Sequence, residues 1–141
     1  MKDIYRKIGA MKVVLVEDDE LVRENIAVHF RLKGCPLKTF RNVEEATDSF
    51  EIESPDLVIS DYLLPGRDGL SFLKQVAREH PRTRKILTTA FPEDLPADVL
   101  RKAGIDALLL KPFGVEEMEG VLEQVIEAGT RGNRGNDKEA N

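Results

Sequence analysis

The stretch LVISDYLLPG, residues 57–66, is an apolar run that ends on one aspartate before Pro65 and Gly66 break the chain. Apolar character without alternation, bounded by turn residues, marks a strand buried on both faces. Three further runs share it: VVLV at 13–16, IL at 86–87 and ALLL at 107–110. A weaker fifth, LKTF at 37–40, completes the set. Between these runs apolar residues recur at helical spacing. Val22, Ile26 and Phe30 fall every fourth residue, Phe72, Leu73, Val76 and Ala77 share one face, and so do Val115, Met118, Leu122, Val125 and Ile126. Asn42 and Glu45 have the spacing of a capping box for the helix after the second strand. Beyond Pro92 and Pro96 a short helix over about 97–103 is expected, ended by Gly104.

Strands that alternate with helices imply parallel pairing through right-handed crossovers, with helices on both faces of one sheet. The predicted fold class is therefore α/β, a three-layer α/β/α sandwich. At 141 residues, 41% hydrophobic and 33% charged, the chain suffices for one well-buried domain and is short for two. Residues 1–10 read as an N-terminal extension, 11–128 as the domain, and 129–141 (GTRGNRGNDKEAN), with three glycines and no apolar periodicity, as a disordered tail or linker.

A net charge of -5 argues against a surface built for nucleic acid or anionic lipid, since both require concentrated Lys and Arg. No apolar run approaches the roughly 18 residues of a membrane span, and the opening MKDIYRKIGA lacks the apolar stretch of a signal peptide. A cytoplasmic location is the expectation. Cys35, the single cysteine, cannot form an intramolecular disulfide, and no His or second Cys stands near it in sequence to activate it.

In a parallel sheet, ligands bind where the carboxyl ends of the strands emerge. The first run delivers Glu17, Asp18 and Asp19 to that edge, the third Asp61, the fourth Thr88 and Thr89, and the fifth Lys111. One aspartate at a strand end is ordinary, and near a helix start it commonly serves as a cap. The set differs, because strands about 4.8 Å apart bring their acids face to face. Each such pair repels by roughly 4 kcal/mol at 4 Å with an effective dielectric near 20. A cation must offset that cost, and a few hard oxygen ligands suit Mg²⁺ better than a soft metal.

Taken in order, LVEDD, SDYLLPGRDG, TTAF and LLLKPF resemble the receiver domain of bacterial two-component response regulators, over about residues 11–128. The resemblance implies a flavodoxin-like five-stranded parallel sheet in the order 2-1-3-4-5. It implies that Asp61 is the phosphoacceptor and that Glu17 and Asp18 hold Mg²⁺ together with Asp61 and the backbone carbonyl of Leu63. Thr89 would be the switch hydroxyl. Lys111 would pair with the acyl phosphate, its bond to Pro112 cis. Asp19 falls one place late and is read as a helix start, and Thr88 as pointing into the fold. The implied partners are a sensor histidine kinase or phosphotransfer protein, an output domain or downstream protein, and a second copy in a phosphorylation-dependent homodimer. Such a domain assists its own modification without being a turnover enzyme.

This chain departs from the family pattern at three places. Leu108 stands where many members carry an aromatic switch residue three places before the lysine. Leu63 and Phe91, two places after Asp61 and Thr89, cannot hydrogen-bond an attacking water, which implies a long-lived phosphoryl group. Among rival readings, an aspartate-nucleophile phosphatase would want a second Asp where Leu63 stands. A nucleotide or flavin binder would want a glycine-rich turn where EDDE stands. The serious rival is a receiver-like interaction module that works without phosphorylation. Elsewhere Asp68 and Gly69 read as a turn and helix cap, His29 and His80 as surface or boundary histidines, and the Arg-Lys run at 82–85 as a solvated approach to a strand. The acidic face of the last helix, Glu116, Glu117, Glu119, Glu123 and Glu127, reads equally as solvated surface or as a partner contact.

Overall fold

A computed structural model describes residues 3–139 except residue 52, with side chains described as far as residue 128. In chain order the elements are α1 (Asp3–Gly9), β1 (Val13–Val16), α2 (Glu20–Leu32), β2 (Lys38–Phe40), α3 (Val43–Phe50), β3 (Leu57–Asp61), α4 (Gly69–Glu79), β4 (Arg84–Thr89), α5 (Ala97–Ala103), β5 (Ala107–Leu110) and α6 (Val115–Glu139). A single 3-10 turn at Pro92–Asp94 precedes α5.

The five strands pair in parallel in the order β2-β1-β3-β4-β5. Alternation along each strand then divides the core in two. Val13 and Leu15 of β1, with Leu57, Ile59, Ile86 and Leu109, face Phe30 of α2 and Met118, Leu122 and Val125 of α6. Val14 and Val16, with Val58 and Leu87, face Val43 and Phe50 of α3 and Phe72, Leu73 and Val76 of α4. Both faces of the central strands are covered, which is why those strands read as continuous apolar runs.

Short polar side chains start the helices. Asp19, Asn42 and Asp68 are the N-caps of α2, α3 and α4, accepting the backbone N–H of Val22, Glu45 and Ser71 at 3.0, 2.9 and 2.7 Å. Gly104 ends α5 with φ of 77°, a left-handed conformation that costs a glycine nothing.

The structure differs from the sequence reading at four places. Residues 3–9 of the N-terminal extension form α1, whose Ile4, Tyr5 and Ile8 are buried in the first core cluster. Lys85, read as part of a solvated run, is buried. Its face of β4 turns inward, and its ammonium donates to the Thr83 carbonyl at 2.6 Å and lies 3.9 Å from Asp106. Glu119 leaves the acidic face of α6 and is buried, accepting a hydrogen bond from the Tyr5 hydroxyl. Finally, the helical backbone of α6 continues to Glu139, through most of the segment read as a disordered tail or linker. Residues 140 and 141 of that segment, like residues 1 and 2 of the extension, lie outside the described residues.

Candidate functional site

The carboxyl edge of the sheet gathers the acids. Glu17 follows β1 directly, its N–H donating to the Phe40 carbonyl of the neighbouring strand at 3.0 Å, and its side chain is 2% exposed. Asp61 is the last residue of β3, opposite Thr88 of β4, and is 8% exposed. Lys111 follows β5, held by its N–H to the Thr89 carbonyl at 2.8 Å, and its peptide bond to Pro112 is cis. From there the lysine stem reaches back across the sheet. Its ammonium lies 2.7 Å from Glu17 Oε1 and 3.1 Å from Asp61 Oδ2.

One cation therefore bridges two buried carboxylates. Burial pulls the Lys111 ammonium down, but the hydrogen bond and charge of Glu17, joined by the charge of Asp61, outweigh it and hold Lys111 above the ordinary lysine range. Burial raises Glu17, and the nearby Asp61 charge adds to the rise. Lys111 and the Asp19 N–H, which reaches Glu17 Oε2 at 3.1 Å, oppose it.

Asp18 is exposed in the same turn. The turn backbone is gripped from α2, where Arg23 Nη1 donates to the carbonyls of Glu17 at 2.9 Å and Asp18 at 3.3 Å. Among the described residues no three Asp, Glu, His or Cys side chains are arranged to hold a metal ion. Of the three carboxylates read from the sequence, the structure gathers Glu17 and Asp61 about the Lys111 ammonium. The donor set still fits a small hard cation: its atoms are carboxylate oxygens, and the fold already tolerates a positive charge between two of them.

Thr89, the last residue of β4, is buried, and its hydroxyl oxygen accepts the Phe91 N–H at 2.9 Å. Thr88 is buried as well. Leu108 is half-buried against the second core cluster. Leu63 and Phe91, by contrast, are exposed at 57% and 43%, so two apolar side chains stand in solvent on the loops that follow Asp61 and Thr89.

Two further residues escaped the sequence reading. Gly69, read as a turn glycine, packs against the acceptor strand: a Cβ there would lie 2.0 Å from the Asp61 carbonyl oxygen, and its N–H donates to the Tyr62 carbonyl at 2.7 Å. A glycine needed for close approach looks the same in sequence as one needed for a turn. Arg23 gave no signal either, because a charged residue in the first turns of an amphipathic helix usually means a solvated face.

Residues 13–123 match the family model of the response regulator receiver domain. The DNA-binding transcriptional regulator NtrC of Escherichia coli K12 is 31% identical over 81% of this chain, which spans 24% of that protein's length. Among solved structures, the BeF3-activated receiver domain of nitrogen regulatory protein C is 30% identical, with a TM-score of 0.70 over 84% of this chain and 95% of that one. The chemotaxis response regulator CheY4 of Vibrio cholerae is 25% identical, with a TM-score of 0.73 over 81% of this chain and 97% of that one.

Proposed function

Because this chain belongs to the response regulator receiver domain family of two-component signalling, we propose that it accepts a phosphoryl group on Asp61 from a phosphohistidine of a sensor kinase or phosphotransfer protein. The observation that carries the reading is the Lys111 ammonium shared by Glu17 and Asp61 at 2.7 and 3.1 Å. A nucleophilic carboxylate needs its negative charge masked before it can approach a phosphoryl group, and an ammonium in contact with it does that.

In the proposed step an Asp61 oxygen attacks phosphorus in line as the phosphorus–nitrogen bond breaks. The imidazole leaves neutral when its other ring nitrogen carries a proton. Lys111 moves its hydrogen bonds from the carboxylates to the phosphoryl oxygens. Magnesium held by Glu17, Asp18, Asp61 and the Leu63 carbonyl would supply further neutralisation of those oxygens. Beside Lys111 a groove of about 490 Å³, lined by Ile26, Pro112, Phe113 and Met118 among others, gives an incoming partner an apolar seat.

The phosphoryl group adds up to two negative charges and new acceptor oxygens. Thr89 would turn its hydroxyl towards them and release the Phe91 N–H. That exchange shifts the surface made by β4, α5 and β5, the change a downstream protein, an output domain or a second copy would read. Leu108 favours one alternative, a module that binds its partner without phosphorylation, since no aromatic ring is present there to move with Thr89.

Incubation with Mg²⁺ and acetyl phosphate, followed by intact-mass measurement, tests the reading. The parent protein is expected to gain one phosphoryl group and Asp61→Asn none. Equal gain by both would remove Asp61 from its role, and no gain by the parent would leave the interaction module standing.

A further inference from the structure

The turn that carries Glu17 and Asp18 has left the sheet. The pairing of β1 ends at Val16, opposite Phe40 of β2 and Ser60 of β3. Beyond it the Glu17 N–H reaches the Phe40 carbonyl of β2 at 3.0 Å. Asp19 then caps α2, and Arg23, whose own N–H donates to the Asp19 carbonyl at 2.9 Å, folds its side chain back beneath the turn. One guanidinium nitrogen takes two successive carbonyls, those of Glu17 and Asp18. Fixing two successive carbonyls fixes two peptide planes, and with them the directions in which the Glu17 and Asp18 side chains leave the chain. Glu17 is turned into the interior towards Lys111, while Asp18 stays at the rim.

We propose that Arg23 is the positioning residue of the acidic turn, acting through its backbone to hold Glu17 and Asp18 in the arrangement that receives a divalent cation. The inference rests on the reading of those two residues as the magnesium-holding pair. A planar guanidinium suits the task, since its N–H groups are fixed in one frame, whereas a lysine ammonium is a point charge on a flexible stem. Charge alone predicts the opposite effect. A positive group near the acids repels a metal ion, so an Arg23 that acted only by charge would weaken magnesium binding, and its removal would tighten it.

The experiment is a calorimetric Mg²⁺ titration of the parent, Arg23→Lys and Arg23→Gln, at fixed ionic strength and at a temperature where circular dichroism shows all three folded. Arg23→Lys keeps the charge and loses the double grip; its Mg²⁺ affinity is expected to fall by about tenfold, the lower end for residues that orient metal ligands. Arg23→Gln is expected to fall by a smaller factor, because loss of the charge offsets part of the effect. In parallel, the acetyl phosphate reaction of Arg23→Lys is expected to need more Mg²⁺ for half its maximal rate while reaching close to the parent's maximum. Lower melting temperatures with unchanged Mg²⁺ affinity would make Arg23 a structural residue only, and tighter binding by Arg23→Gln would make it an electrostatic one; either result overturns the proposal. A parent protein that binds no Mg²⁺ overturns the functional reading and this inference together.

Discussion

Gly69 shows how narrowly single residues are constrained around Asp61. The constraint is space, since an added methyl would sit 2.0 Å from a backbone oxygen that belongs to the acceptor residue itself. A backbone atom cannot swing aside as a flexible side chain would. Gly69→Ala is therefore expected to lose about 3 kcal/mol, the upper part of the usual range for overpacking, and to displace the loop after β3. Urea denaturation measures the first effect, and a midpoint equal to the parent's would refute it. Leu63 and Phe91 act through what they lack. Both are exposed on the loops that follow Asp61 and Thr89, and neither side chain offers a hydrogen bond to water. In the proposed phosphoprotein, Leu63→Asn with Phe91→Glu is expected to hasten loss of the phosphoryl group by about tenfold or more, through water held and oriented by the new polar groups. Loss no faster than the parent's, followed by intact mass over time, would discard the idea of a long-lived phosphoryl group.

At the scale of elements, β4 carries a cost that pH should reveal. Lys85 is buried, and desolvation pulls its ammonium below the ordinary 10.5 against the opposing charge of Asp106. Between its lowered folded value and its unfolded value near 10.4, the unfolded chain holds a proton that the folded one has released. Stability from this residue therefore rises with pH across that window, and below it the folded protein bears the cost of a buried charge. Lys85→Met should lose the alkaline rise, so that the parent gains on the variant as pH climbs from 7 towards 10 in paired urea denaturations. Parallel curves would show that the site is well solvated. Elements differ in how well the sequence announces them, for related reasons. The runs at 13–16 and 107–110 coincide with β1 and β5, and Pro96 and Gly104 bracket α5, because double burial and backbone chemistry leave local marks. The edge strand β2, with Lys38 exposed and Thr39 and Phe40 half-buried, leaves a fainter one. The acidic edge was legible because strand ends in a parallel sheet converge by topology. The grip of Arg23 and the inward turn of Lys85 were not, because a charged side chain in sequence carries no sign of which way it folds back.

For the whole molecule, the question is where the folding unit begins. The family match starts at residue 13, yet α1 lies before it, with Ile4, Tyr5 and Ile8 at 4%, 2% and 0% exposure. The helix is tied to two distant parts of the chain. Tyr5 shares its hydroxyl between Glu119 of α6 and His29 of α2, the latter at 2.8 Å, and Lys33 lies 5.2 Å from the centre of the tyrosine ring. Cys35 donates its thiol to the Tyr5 carbonyl at 3.3 Å, which gives the single cysteine a structural partner. The spacing of residues 4, 5 and 8 is that of one helix face, but seven residues make too short a window for periodicity to stand out, and an isolated helix of that length is unstable in water. Its order must come from packing, so the dependence should run in both directions. A chain that begins at Met11 exposes the surface that Ile4, Tyr5 and Ile8 cover, and is expected to lose at least about 2 kcal/mol, the low end for truncating one buried isoleucine. Denaturant titration would register this as a lower midpoint. The ion pairs that join Lys111 to Glu17 and Asp61 do not involve α1, so the shortened chain should still accept a phosphoryl group at temperatures where it is folded. An unchanged midpoint would show α1 to be an appendage, and the unit to begin where the family match does.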